Sequence, residues 1–188
     1  MTHVLIGGDV CPIRRNLPYF IEGDAESLFN DLLIEFRQAD LSLVNLECPL
    51  LEKNTPIEKT GPILGVKSEA IHGFKRANID VLVLANNHIL DHGLDGLENT
   101  LMVCERSNIS TVGAGHNLAD ARKIFLRTIN NIKIGILAMA EHEFSIATQD
   151  SCGANPLDVI DYVRNIRYNK KKFDYLIVIL HGGYENYP

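Results

Sequence analysis

Five short apolar runs stand too far apart in this chain to be joined by hairpins. They are Val4-Leu5-Ile6, Leu41-Ser42-Leu43-Val44, Val81-Leu82-Val83-Leu84, Ile134-Gly135-Ile136-Leu137 and Tyr175-Leu176-Ile177-Val178-Ile179-Leu180. Unbroken apolarity marks strands covered on both faces, and strands so widely spaced need crossovers, which are usually helical. Helical patterns do lie between them. Leu28, Leu32 and Phe36 recur at fourfold spacing, with Asp24 or Ser27 available as an N-cap and the acids Glu26 and Asp31 near the start. Leu94, Leu97, Leu101 and Cys104 form a second stripe, and Val159, Tyr162, Val163 and Ile166 a third that opens behind Pro156. Alternation of strand and helix predicts an α/β sheet.

One hairpin breaks the alternation. Ile124–Ile129 and Ile132–Ile136 flank Asn130-Asn131, two residues able to take the positive φ of a tight turn, so the sheet is expected to be mixed. The aperiodic stretch from Glu52 to Gly65, with two prolines and two glycines, reads as a long loop of the kind that serves as a lid or binding loop. Gly113 and Gly115 read as a tight turn feeding a helix capped by Asn117, and Leu118 excludes a dinucleotide fingerprint there. At 188 residues, 46% hydrophobic and 22% charged, the chain suits a single domain spanning 1–188 with a real core.

Net charge of −6, with no basic run longer than Lys170-Lys171-Lys172, argues against nucleic acid or an anionic membrane as the main partner. No run approaches the roughly 18 apolar residues of a spanning helix, and the N-terminus lacks the pattern of a secretion signal, so a cytoplasmic location is expected. Cys11, Cys48, Cys104 and Cys152 show no CxxC spacing, which suits a reducing compartment. Cys104 falls on an apolar helical face, whereas Cys11 and Cys48 each stand near an acid.

The residue types that close the apolar runs are chemically biased. The runs lead in turn to Gly7-Gly8-Asp9, Asn45-Leu46-Glu47, Asn86-Asn87-His88, Glu141-His142-Glu143 and His181-Gly182-Gly183. Any one of these is more simply a turn former or cap; Asp91, for instance, could cap the helix near Leu94, and His3, His72, His92 and His116 read as surface or local hydrogen-bonding residues. Five together are another matter, because the carboxyl ends of parallel strands line one edge of a sheet, where ligands bind. Carboxylates, an amide oxygen and imidazoles make a mixed O/N set suited to Mn²⁺, Fe²⁺, Zn²⁺ or Mg²⁺.

GGD at 7–9, NLECPL at 45–50, LANNHILDHGLDGLENTL at 84–101, VGAGHNLADAR at 112–122 and HGGYE at 181–185 resemble the successive motifs of the CapA-type capsule and poly-gamma-glutamate synthesis proteins. The resemblance implies an α/β metallophosphatase-like α/β/β/α sandwich with mixed sheets and a dinuclear divalent metal centre. Carried over by position, Asp9, Glu47, Asn87 and His181 would be metal ligands, Glu47 the bridging or second acid, and His88 the catalytic proton donor. Asn45, Asn86, Lys59 and Glu185 would position substrate, with Cys11, Asp91 and His142 as secondary candidates. Two departures stand out: HGGYEN replaces the family's HWGxEY, and a further histidine element of the family is not reached before Pro188, so the domain is expected to lack its C-terminal part. Four protein ligands hold two ions poorly, so metal could be weakly held or missing. The implied role is a metal-dependent hydrolase or transferase acting on a phosphoester or an anionic polymer in capsule biosynthesis. The competing reading is a non-catalytic scaffold subunit with the same fold, and sheet faces left uncovered would favour self-association.

Overall fold

The computed structural model describes residues 1–183, so the expectation for Glu185 lies outside the described residues. Strand β1 (Val4–Val10) is followed by three short helices, α1 (Leu17–Glu22), α2 (Ala25–Phe29) and α3 (Leu32–Gln38), and then by β2 (Leu41–Leu46). Two-residue strands β3 (Leu50–Leu51) and β4 (Val66–Lys67) bracket the long loop. Helix α4 (Ile71–Arg76) leads into β5 (Val81–Val83), and α5 (Gly93–Arg106) into β6 (Ser110–Val112). After β7 (Ala114–Gly115) and α6 (Leu118–Ala121) come the hairpin strands β8 (Phe125–Ile129) and β9 (Ile132–Ala140). Strand β10 (Gly153–Ala154), helix α7 (Val159–Asn169) and β11 (Tyr175–His181) complete the order.

The strands form two principal sheets. One is wholly parallel in the order β1-β2-β5-β6; the other runs β11-β9-β8, parallel between β11 and β9 and antiparallel in the hairpin. As expected from their unbroken apolarity, β2 and β5 are buried at every residue. Strand β9 divides its side chains by parity: Ile134, Ile136, Ala138 and Ala140 join the core shared with the parallel sheet, while Leu137 and Met139 meet Tyr162 of α7 on the opposite face. Helices on one side, two facing sheets and α7 on the other make a four-layer α/β/β/α sandwich.

Local chemistry accounts for the starts of three helices. Asp24 caps α2 through Ser27 N, Asn117 caps α6 through Asp120 N, and Asp158 caps α7 through Ile160 N and Asp161 N. Asn130 and Asn131 both take positive φ in the hairpin turn. One expectation fails: the Leu28-Leu32-Phe36 stripe is not one helix. Asn30 adopts φ +48 and splits it, so Leu33 and Phe36 face the core while Leu32 is exposed. Apolar side chains remain uncovered at the edge strand β11, where Val178 and Leu180 are 50% and 54% exposed, and on α7 at Val159, Ile160 and Val163.

Close approach demands glycine at Gly113 and at Gly7. Gly113 has φ +91, and a Cβ there would lie 2.7 Å from Ala85 Cβ and 2.9 Å from Ala138 Cβ, where the two sheets meet. Gly113→Ala should therefore combine left-handed strain with overpacking and cost about 3 kcal/mol. Thermal unfolding should show a Tm lower by roughly 10 °C, and an unchanged Tm would disprove the tight inter-sheet contact. Gly7 lies where β1 slips register against β2, pairing passing from Ile6↔Leu43 directly to Asp9↔Asn45. This bulge re-aims the strand end, and a Cβ on Gly7 would sit 2.8 Å from Val44 Cγ1.

Candidate metal centre

The carboxyl ends of strands from both sheets open into one cleft of about 470 Å³. Asp9 comes from β1 beyond the bulge, Asn45 from β2, Glu47 just past β2, Asn87 past β5, Glu141 and Glu143 past β9, and His181 from the end of β11. Ligand atoms of Asp9, Glu47 and His181 all lie within 4.8 Å of one another. His181 is central: Nδ1 is 3.5 Å from Asp9 Oδ1, and Nε2 is 3.7 Å from Glu47 Oε1 and 3.1 Å from Asn87 Oδ1.

Neighbouring amides orient these groups. Asn45 Nδ2 donates to Asp9 Oδ1 at 2.6 Å and lies 3.3 Å from His181 Nδ1. Asn87 Nδ2 donates to Glu143 Oε2 at 3.0 Å, which turns its carbonyl oxygen toward His181. Glu141 accepts from Gly183 N at 3.1 Å; a Cβ on Gly182 would meet Glu141 Cγ at 2.4 Å, so the Gly-Gly pair lets this acid reach the cleft. Sequence reasoning missed the part played by Glu143, whose only signal was its place after the fourth apolar run.

Asn86, expected to touch substrate, is fully buried: Nδ2 donates to Leu46 O and Asn45 Oδ1, and Oδ1 accepts from His88 N. It braces the loop and does not line the cleft. His142 is exposed and likewise absent from the lining. Cys11 lines a separate hollow of about 330 Å³ that shares Asp9 with the cleft. The neighbouring Cys48 thiol holds Cys11 below the ordinary thiol range, while Cys11 and burial raise Cys48 well above it.

His88, the expected proton donor, is buried one residue past Asn87 and is not itself among the cleft-lining residues; it pairs with buried Asp91, its Nδ1 lying 2.7 Å from Asp91 Oδ2. Asp91 caps no helix, since α5 begins at Gly93 and both carboxylate oxygens are taken. Leu64 N donates to it at 2.6 Å and the Lys59 ammonium pairs with its other oxygen. Burial pushes this carboxyl up, but bonds from His88, Leu64 N and Lys59 more than offset that and hold it below its ordinary value. Lys59 is almost completely buried and also lies 3.3 Å from His88 Nδ1, so it ties the 52–65 loop to this pair and stands away from the cleft.

The same loop is held by His92, a buried residue whose Nδ1 accepts from Thr55 N at 3.0 Å. Burial lowers the His92 pKa below its ordinary value of 6.5, with Asp91 opposing. The unfolded ring therefore gains its proton first. The contribution of His92 to loop closure is complete above the unfolded value and fades as pH falls through it toward the folded one. Limited proteolysis within residues 52–65 should accelerate between about pH 7.5 and about pH 5.5, and His92→Gln should flatten that dependence. A pH-independent rate in the wild type would exclude His92 as the latch.

The four-layer sandwich is a fold shared with phosphatases and nucleotidases of known structure. A phosphatase from Mycoplasma pneumoniae superposes with a TM-score of 0.53 at 17% identity, covering 97% of this chain and 56% of that one. The NAD nucleotidase of Haemophilus influenzae gives 0.53 at 15%, covering 88% and 29%. The chain belongs to the bacterial capsule synthesis protein family PGA_cap, whose model it matches over residues 3–188. It is 31% identical over 170 residues to the PGA biosynthesis protein CapA of Bacillus subtilis (strain 168), spanning 87% of this chain and 45% of that protein. It is 29% identical over 163 residues to the capsule biosynthesis protein CapA of Bacillus anthracis, spanning 81% and 40%. The chain thus spans less than half the length of these two relatives. Among the described residues no helix is long and apolar enough to cross a membrane.

Proposed function

We propose that the cleft binds a divalent cation and that the protein acts as a metal-dependent hydrolase or transferase on a phosphoester or an amide-linked anionic polymer during capsule or polyglutamate synthesis. The observation that carries this reading is the meeting of Asp9, Glu47, His181 and the Asn87 oxygen in the cleft where strand ends of the two sheets converge. Charge supports it. Four acids line the cleft, Asp9, Glu47, Glu141 and Glu143, and no lysine or arginine lines it among the described residues. Such a surface repels an anionic substrate unless cations neutralise it. The donor set fits Mn²⁺, Fe²⁺, Zn²⁺ or Mg²⁺, being hard oxygens with one imidazole and no thiolate in the group.

A bound cation would supply Lewis-acid polarisation of the substrate and activation of water. The chain's own residues do the rest. Asn45 fixes the carboxylate of Asp9, and Glu143 holds the Asn87 amide with its oxygen inward. Asp91 holds Nδ1 of His88, so that Nε2 is the ring atom left to pass a proton to a departing oxygen. Uncovered apolar side chains on β11 and α7 make self-association through that face part of the same proposal. The test is metal analysis of the purified protein after Mn²⁺ loading, followed by turnover of an aryl phosphate. Stoichiometric Mn²⁺ with turnover supports catalysis. Absence of both, in a protein as long as its relatives, would favour a scaffold role for the cleft.

A further inference from the structure

Cys11 and Cys48 stand 37 positions apart in sequence and meet at the ends of adjacent parallel strands. Strand β1 pairs Val10 with Leu46, and Glu47 N donates to Val10 O at 3.1 Å, which carries the alignment one step beyond the sheet. Cys11 directly follows Val10 and Cys48 lies two residues past Leu46, so the cysteines stand on neighbouring chain segments, and each thiol is the largest influence on the other's proton. Cys48 is completely buried in the core, whereas Cys11 is half-buried and lines the hollow of about 330 Å³ together with Asp9, Asn16, Tyr19 and Ser27. One sulfur is thus reachable by a small molecule, and its neighbour sits behind it. Cys104, buried on α5, and Cys152, before β10, lie on other elements.

We propose that Cys11 and Cys48 are an oxidation site at which a hydroperoxide forms a disulfide between the tips of β1 and β2, and that this bond loosens the cation centre. Hydrogen peroxide entering the hollow meets Cys11 first. Its O–O bond breaks as one oxygen transfers to the Cys11 sulfur, giving a sulfenic acid and one water. The Cys48 sulfur then attacks the sulfenic sulfur, the S–O bond breaks, and the hydroxyl leaves with the Cys48 proton as a second water. Two thiols are oxidised and one peroxide is reduced.

The coupling to the cleft is a matter of chain geometry. A disulfide fixes its sulfurs about 2 Å apart, well inside the van der Waals separation of two unbonded sulfurs, and imposes its own torsion on both strand ends. Cys11 lies two residues after Asp9, and Cys48 directly follows Glu47. Both carboxylates must therefore shift relative to His181. This half of the proposal rests on the cation reading above; the disulfide itself does not.

The experiment treats the protein with hydrogen peroxide, then measures intact mass, non-reducing peptide maps and Mn²⁺ affinity by electron paramagnetic resonance of the free ion. The expected result is a loss of two hydrogens, a Cys11–Cys48 linked peptide, and Mn²⁺ binding weaker by roughly tenfold, restored by dithiothreitol. Cys48→Ala should form no cross-link and gain oxygen at Cys11 instead; Cys11→Ser, which leaves the core intact, should also form none. In each variant, peroxide should no longer produce the dithiothreitol-reversible loss of Mn²⁺ affinity. Oxygen addition to the wild type without a cross-link overturns the proposal, and so does a cross-link that leaves Mn²⁺ affinity unchanged. Reduced protein that never binds Mn²⁺ would sink the cation reading and this coupling with it, while the linked peptide would still decide the disulfide.

Discussion

Asp9→Ala should abolish metal-dependent stabilisation while leaving the fold intact. The carboxylate is 53% exposed and its hydrogen bond runs to Asn45, so its removal opens no core cavity and the metal-free Tm should move little. The loss appears when Mn²⁺ is added. A cation that binds only the folded state stabilises it by about 2.7 kcal/mol at a hundred times its Kd, and removal of a direct ligand should weaken affinity at least about a hundredfold, which takes that gain almost entirely away. Differential scanning fluorimetry with and without Mn²⁺ makes the comparison without any assay of turnover. Equal Mn²⁺-induced shifts in wild type and variant would remove Asp9 from the centre, and with it the purpose of the Gly7–Gly8 bulge that aims it.

That bulge shows what the sequence reveals and where it falls silent. Positions of the strand ends are legible because unbroken apolar runs are physically distinctive, and Asn130-Asn131 declares its turn through residues that tolerate positive φ. The gathering of Asp9, Glu47 and Asn87 at one edge follows from the parallel order β1-β2-β5, whereas His181 reaches them from the facing sheet, and that meeting depends on how the two sheets pack. Legibility ends where a side chain's direction depends on a distant partner. Asn86 and Asn87 are adjacent and chemically identical, yet one is turned inward to Leu46 O and the other outward to Glu143, 56 residues away. Lys59 gives no hint of burial, because a lysine in an unpatterned loop defaults to solvent; its destination is set by the buried carboxylate of Asp91. The split between α2 and α3 is instructive in another way. Fourfold spacing of Leu28, Leu32 and Phe36 outweighs Asn30-Asp31 in any periodicity count, although those two residues are the turn formers that break the helix. Pairing of Cys11 with Cys48 has no local signature either, since it is a property of neighbouring strands and not of spacing along the chain.

His88→Ala separates catalysis from metal binding. The imidazole is held at Nδ1 by Asp91, and Asp91 is held in turn by Lys59 and Leu64 N, so truncation leaves the carboxylate paired and avoids an orphaned buried charge. Asn86 Oδ1 bonds the backbone N–H of residue 88, not its side chain, so the path of the loop that presents Asn87 should survive. Mn²⁺ affinity should therefore stay within about twofold of wild type, whereas turnover of an alkyl phosphate should fall by roughly 10² to 10⁴, the range a positioned proton donor contributes. The size of the drop should depend on the leaving group: a nitrophenolate departs without a proton, so hydrolysis of its phosphate ester should suffer far less. This leaving-group contrast distinguishes proton donation from mere support, because a scaffold residue would slow both substrates alike. Mn²⁺ loss matching that of Asp9→Ala would instead place His88 among the groups that hold the cation.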